Sequence, residues 1–161
     1  VGALREMRRV LRPGGRLAVA VWGEASRCGW SSILPIVDAE VRSEVCPLFF
    51  RLGRALELAS ACAVAQFGAV QSHRIPVTMA YADGESACEA AFAGGPVALA
   101  WSRFDGDTRL RVRERFLASI APFRHGKGYR IPAEFVVANA VASGPQSFLS
   151  SSPTTSQEKT P

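Results

Sequence analysis

The segment that most restricts what this chain can fold into is Leu17-Ala18-Val19-Ala20-Val21-Trp22, six apolar residues in a row behind a Pro13-Gly14-Gly15 turn. An unbroken apolar run of strand length predicts a strand covered on both faces, as in a parallel sheet between helical layers. Ahead of it, residues 3–12 set Ala3, Leu4, Met7, Val10 and Leu11 on one face. Arg5, Arg8, Arg9 and Arg12 lie largely opposite, the pattern of an amphipathic helix. Pro13 disfavours helical backbone at Arg12, and the glycines supply the turn. Helix, turn and buried strand make an αβ unit. A parallel strand needs neighbours, so the expectation is a sheet completed from outside these residues, by a complementing N-terminal half or by a second copy.

Further along, residues 33–45 predict a helix, residues 47–54 a loop holding Phe49 and Phe50, and residues 55–66 a helix of small residues closed near Gly68. Residues 70–81 alternate over their second half and predict a strand, with Pro76 marking an edge or a bulge. Short helices are expected over residues 86–92 and 97–101, separated by Gly94-Gly95-Pro96. Asp107 is the expected N-cap of a helix over residues 108–121, which Pro122 ends. A basic Gly-rich loop at residues 123–130 leads to a last strand over residues 133–142. From Ser143 onward the composition turns to Ser, Pro, Thr, Gln and Lys, and a disordered tail over 143–161 is expected.

With 48% hydrophobic and 20% charged residues the chain can build a core, which argues against general disorder. The net charge of +5 raises the question of nucleic acid. The arginine runs at residues 5–16 and 103–115 fall on helix faces without interleaved aromatics, so solvated faces are the expectation and no nucleic-acid partner is inferred. Cys28, Cys46, Cys62 and Cys88 are widely and irregularly spaced, with only His73 and His125 to join them. That pattern gives no zinc site and reads as buried free thiols. No signal peptide or long apolar run stands in the sequence, so the default is a cytoplasmic setting with no membrane partner.

The stretch Ala3–Trp22 resembles the helix and fifth strand of class I S-adenosylmethionine-dependent methyltransferases of the ubiquinone-biosynthesis or "type 11" kind. Their L-x-E-x-x-R-V-L-x-P-G-G-x-L segment is matched by Leu4, Glu6, Arg9, Val10, Leu11, Pro13, Gly14, Gly15 and Leu17. Looser similarities follow. An A-x-x-x-G-F segment appears in altered form at Ala63–Phe67, Gly94-Gly95-Pro96 sits where an insertion is expected, and a G-x-G-x-x-x-P loop is matched by Gly126, Gly128 and Pro132. The resemblance runs to about residue 142. It implies an α/β fold, the C-terminal half of a doubly wound Rossmann-like sheet ending in an antiparallel hairpin with a small helical insertion. Residues 1–142 would then be a partial domain holding the fifth to seventh strands.

The same resemblance implies S-adenosylmethionine as cofactor and a small molecule as methyl acceptor. The family's G-x-G-x-G loop and its two acidic strand ends have no counterpart in this sequence, so no cofactor-binding residue is assigned. The chain alone is expected to be inactive. Methyl transfer relies on positioning and on desolvating the nucleophile, so the lack of a triad or a carboxylate pair is compatible with it. Ligands in such folds lie beyond the carboxyl ends of the strands. That places Trp22 and Trp30 on the substrate side, with Phe92 and Trp101 as a lid from the insertion. His73 and His125 read as surface residues rather than general bases. The competing expectation is a non-catalytic remnant or interaction module that self-associates through an exposed sheet edge.

Overall fold

A computed structural model describes residues 1–41 and 46–143, with the side chains at 46, 47, 95 and 96 left aside. The expected tail after Ser143, the end of the helix expected to reach Val45 and the thiol of Cys46 therefore lie outside the described residues.

Helix α1 (Gly2–Val10) leads through Gly14, at φ 77, into strand β1 (Arg16–Trp22). Helix α2 (Ile33–Asp38) is shorter than its apolar periodicity implied. The segment expected as a loop contains the turn of helix α3 (Cys46–Phe49) and a 3-10 turn at Arg51–Gly53. Helix α4 (Glu57–Val64) is followed by strand β2 (Phe67–Tyr81). Gln66, rather than Gly68, closes α4 in the left-handed region at φ 64, and Gly68 already belongs to the strand. Gln66 stands where the A-x-x-x-G-F pattern has its glycine, and Gly68 follows the Phe.

Three helices follow: α5 (Gly84–Ala93), α6 (Gly95–Arg103) and α7 (Gly106–Ile120). The N-cap of α7 is Asp105, whose carboxylate accepts from Thr108 N at 2.7 Å; Asp107 falls in the first turn. Both residues fit the sequence rule for a cap, and only the backbone path chooses between them. Strand β3 (Arg124–His125) turns through Gly126 into strand β4 (Gly128–Ala142), which starts earlier than the Gly- and Pro-rich sequence implied.

The sheet has the order β1-β4-β2, with β3 beside the start of β4, and every pairing is antiparallel. β1 and β2 therefore run parallel to each other on either side of β4. This mixed α/β architecture corrects one expectation. The 17–22 run is not a doubly covered parallel strand lacking all neighbours, because it pairs antiparallel with β4 of its own chain, Leu17 opposite Ala140 and Trp22 opposite Phe135. Its second face is also open, since Ala18 and Ala20 are exposed. Alanine reads as apolar in a run yet loses little when left in water, so apolarity alone overstated the burial. The outer edge of β1 has no strand partner among the described residues.

Two prolines lie in paired strands without breaking the ladder. Pro132 O accepts from Gly29 N at 2.8 Å, on the β1 side of β4. The N and C=O of one strand residue point the same way, so the missing N–H of Pro132 faces that loop rather than β2. Pro76 opposes Glu134, whose own carbonyl points towards Gly23. Their pair is not hydrogen-bonded, and Pro76 turns its nitrogen to the free edge, as an edge strand allows.

The core divides on β4. Tyr129, Ile131 and Ala133 meet α2, α5, α6 and α7 on one face; Val136, Ala138, Ala140 and Ala142 meet Leu4 of α1 and Leu58, Ala61 and Cys62 of α4 on the other. The apolar stripe of α1 is only partly used. Leu4 is buried, whereas Met7 and Val10 are 40% and 70% exposed.

Candidate functional site

Trp22 ends β1 and stacks on Phe135, its cross-strand partner, at 4.2 Å between ring centroids. The chain then folds back across β4. Gly23 N donates to Glu134 O at 2.6 Å and Gly29 N to Pro132 O at 2.8 Å, which pins the loop that carries Trp30. Trp30 meets Trp22 edge-on at 4.9 Å and touches the rings of Phe49 and Phe50 at 5.9 and 5.5 Å. Opposite them stand Met79 and Tyr81 from the end of β2, Ala87 and Ala91 of α5, and Phe116 of α7. With Trp22, Trp30 and Phe49 they line an open cavity of about 270 Å³ that has Ile131 of β4 in its wall. That is close to the smaller ligand pockets of proteins. The cavity lies at the carboxyl ends of β1 and β2.

The lining carries no charged side chain among the described residues. Its polar atoms are few. The indole Nε1 of Trp30 is buried away from the open space and has no acceptor among the described residues. The Tyr81 phenol forms no hydrogen bond among the described residues, and burial pushes its pKa up, so it stays a protonated donor. Such a lining is suited by polarity to an uncharged apolar molecule, and among the described residues it holds neither a nucleophile–base pair nor a carboxylate pair. Among the described residues no three His, Cys, Asp or Glu side chains gather into a metal site. Burial also pushes up the thiols of Cys28, Cys62 and Cys88, which keeps them protonated and unreactive.

Of the four residues expected at a substrate site, Trp22 and Trp30 come together in the cavity wall. Phe92 and Trp101 do not line it. They stack on each other at 4.0 Å with a 7° tilt and pack α5 against α6; Phe92 also meets Phe116, and Arg109 lies 5.6 Å over the Trp101 ring. His73 and His125 are exposed and outside the cavity. Sequence reasoning missed Tyr81 and Met79 as wall residues, although their alternation on β2 already put them on one face.

It also missed the chain's buried ion pair. Glu134 is 4% exposed in an otherwise Ala- and Val-rich strand, and a lone acid in such a run was the available signal. Arg74 donates to it at 2.6 Å and Arg27 at 3.2 Å. Arg74 also reaches Glu24 at 3.4 Å and donates to the carbonyls of Gly53 and Ala55 at 3.0 Å each. This guanidinium fastens the Arg51–Gly53 turn over the end of β1, where a Cβ on Gly53 would stand 2.1 Å from Trp22 O. It thereby supports the backbone of one cavity wall. On α7, Arg111 and Arg115 pair with Glu40, and Arg113 pairs with Glu85. The arginine run thus spends much of its charge within the fold. No helix among the described residues is long and apolar enough to cross a membrane. No family model matches the chain, and no curated protein matches it.

Proposed function

We propose that these residues form the substrate-side part of a class I S-adenosylmethionine-dependent methyltransferase acting on a small molecule, and that they do not bind the cofactor alone. The observation that carries the reading is the placement of an apolar, aromatic-walled cavity at the carboxyl ends of β1 and β2. It stands beside the helix–Pro-Gly-Gly–strand segment that resembles the family. The antiparallel β2–β4 pair, interrupted by α5, α6 and α7, supports the expected sheet ending. The open outer edge of β1, with Met7 and Val10 exposed on α1, is where further strands and helices of such a sheet would attach. In this reading the cavity binds and desolvates the acceptor, while the rest of the domain presents the methyl sulfonium in line.

Titration calorimetry with S-adenosylmethionine on the 161-residue chain is expected to give no heat of binding at micromolar concentrations, and micromolar binding would overturn the division of labour. The coding DNA upstream of Val1 supplies the second arm. An apolar strand followed by G-x-G-x-G is the expected reading, and an upstream frame without it defeats the family assignment.

The free β1 edge favours one other reading, an interaction module that pairs with a second copy. Sedimentation distinguishes the two. A concentration-dependent dimer that a proline in place of Ala20, whose N–H faces the free edge, abolishes would favour the module.

A further inference from the structure

We propose that the cavity admits an uncharged aromatic ring compound through a mouth that Gly94 keeps clear, between α5 and α6. The inference deepens the methyltransferase reading by naming the class of methyl acceptor and rests on the same cavity. Exposure divides the lining. Ile33, Phe116 and Ile131 are buried and mark the inner end, whereas Ala90 and Gly94, at the end of α5 and just beyond it, are exposed. Neither backbone nor packing calls for a glycine at 94. Its φ of −121 and ψ of 160 are open to any residue, and a Cβ there would meet nothing within 4 Å. Gly94 is also the N-cap of α6, where a Ser, Asn or Asp side chain could accept from the helix and glycine cannot. A glycine that the fold does not ask for, at the rim of a cavity, leaves room for something to pass. Further in, α5 sets only Ala87 and Ala91 against the space, so no longer side chain of that helix fills it.

The lining also selects what enters. Trp22, Trp30, Phe49 and Tyr81 stand in the wall, and aromatic rings favour an aromatic partner through stacked or edge contacts. No charged side chain lines the space among the described residues, so a carboxylate or phosphate would lose its water with no cation to meet it. The rings would also attract a cation, but with no carboxylate in the lining its desolvation outweighs that gain.

The two methionines supply a reporter and its control. Met79 lines the cavity, whereas Met7 lies on α1, which packs through Leu4 on the other face of the sheet. Carbon-13 nuclear magnetic resonance of their methyl groups in the 161-residue chain, without S-adenosylmethionine, therefore reads the proposal directly. The probes are 2-naphthol, 2-naphthoate, 2-naphthyltrimethylammonium and 2-decalol, the saturated and puckered counterpart of the first. The expected result is a saturable shift of the Met79 methyl with 2-naphthol while Met7 stays in place. Both charged probes should bind at least about tenfold more weakly, and 2-decalol about two- to tenfold more weakly. Gly94→Phe, which puts a ring in the mouth, should remove the Met79 shift. Ala90→Phe obstructs the same mouth from α5 and serves as the second variant should Gly94→Phe not fold. A Met7 shift that matches that of Met79, a charged probe or 2-decalol binding as tightly as 2-naphthol, unchanged binding in either folded variant, or no binding by any probe would each overturn the proposal. Because the cofactor is left out, these outcomes are separate from those of the calorimetry and the upstream sequence, which judge the methyltransferase reading.

Discussion

Arg74→Met is expected to be among the most damaging substitutions near the surface of this protein. The Arg74 side chain is 29% exposed, which by itself would class it with mildly tolerant sites. Its partner decides otherwise. Glu134 is 95% withdrawn from water at its side chain, and without Arg74 it keeps only Arg27, a side chain 60% exposed at 3.2 Å. Removing one member of a buried pair costs about 3–5 kcal/mol because a charge is left buried. The remaining Arg27 contact lowers that figure, and the loss of donors to Gly53 O and Ala55 O, about 0.5–1.5 kcal/mol each, raises it again. The balance is about 3 kcal/mol.

Arg27→Met, by contrast, removes the longer contact from a side chain 60% exposed and leaves Glu134 its Arg74 partner, a loss of about 0–1 kcal/mol. Urea unfolding read by circular dichroism measures both, and the slope against urea should not change. In thermal unfolding Arg74→Met corresponds to a loss of about 6–12 °C for a chain of this size. The double variant Arg74→Met with Glu134→Met removes the orphaned charge as well, and should be more stable than Arg74→Met alone. If Arg74→Met costs no more than Arg27→Met, or if the double variant is the less stable of the two, the argument from the buried carboxylate is wrong.

Two further predictions concern single positions. Gln66 sits at φ 64 directly after the C-cap of α4, so Gln66→Gly should stabilise the chain by about 0.5–1 kcal/mol in the same urea assay. Hydrogen bonds from Ser86 to Asp83, and from Thr108 to Asp105, hold both capping carboxyls below their ordinary 3.8. A depressed folded-state pKa means stability that is full above the ordinary value and lost as pH falls through the lowered one. Asp83→Ala and Asp105→Ala should therefore be less stable than wild type at pH 6, and the differences should shrink towards zero as unfolding is measured at decreasing pH below 3.8.

Sequence alone determined the elements whose causes are local. The amphipathic stripe of α1, the Pro13-Gly14-Gly15 turn, the strand at 16–22, the alternating second half of β2 and the spacing of Val112, Phe116 and Ile120 on α7 each follow from residues within one window. Sequence also put Trp22 at a strand end and Trp30 in the loop behind it, and the structure brings both into one cavity wall. Tertiary structure decided what depends on distant partners. Which strand pairs with β1, and in which direction, rests on β4, far along the chain, and an apolar run carries no direction. That Trp22 and Trp30 line a cavity while Phe92 and Trp101 stack on each other depends on how α5, α6 and α7 pack. Glu134 and Arg74 meet because their strands adjoin, and no local pattern encodes that register. Short-range physics writes the elements into the sequence, and the closing of long loops assembles the site.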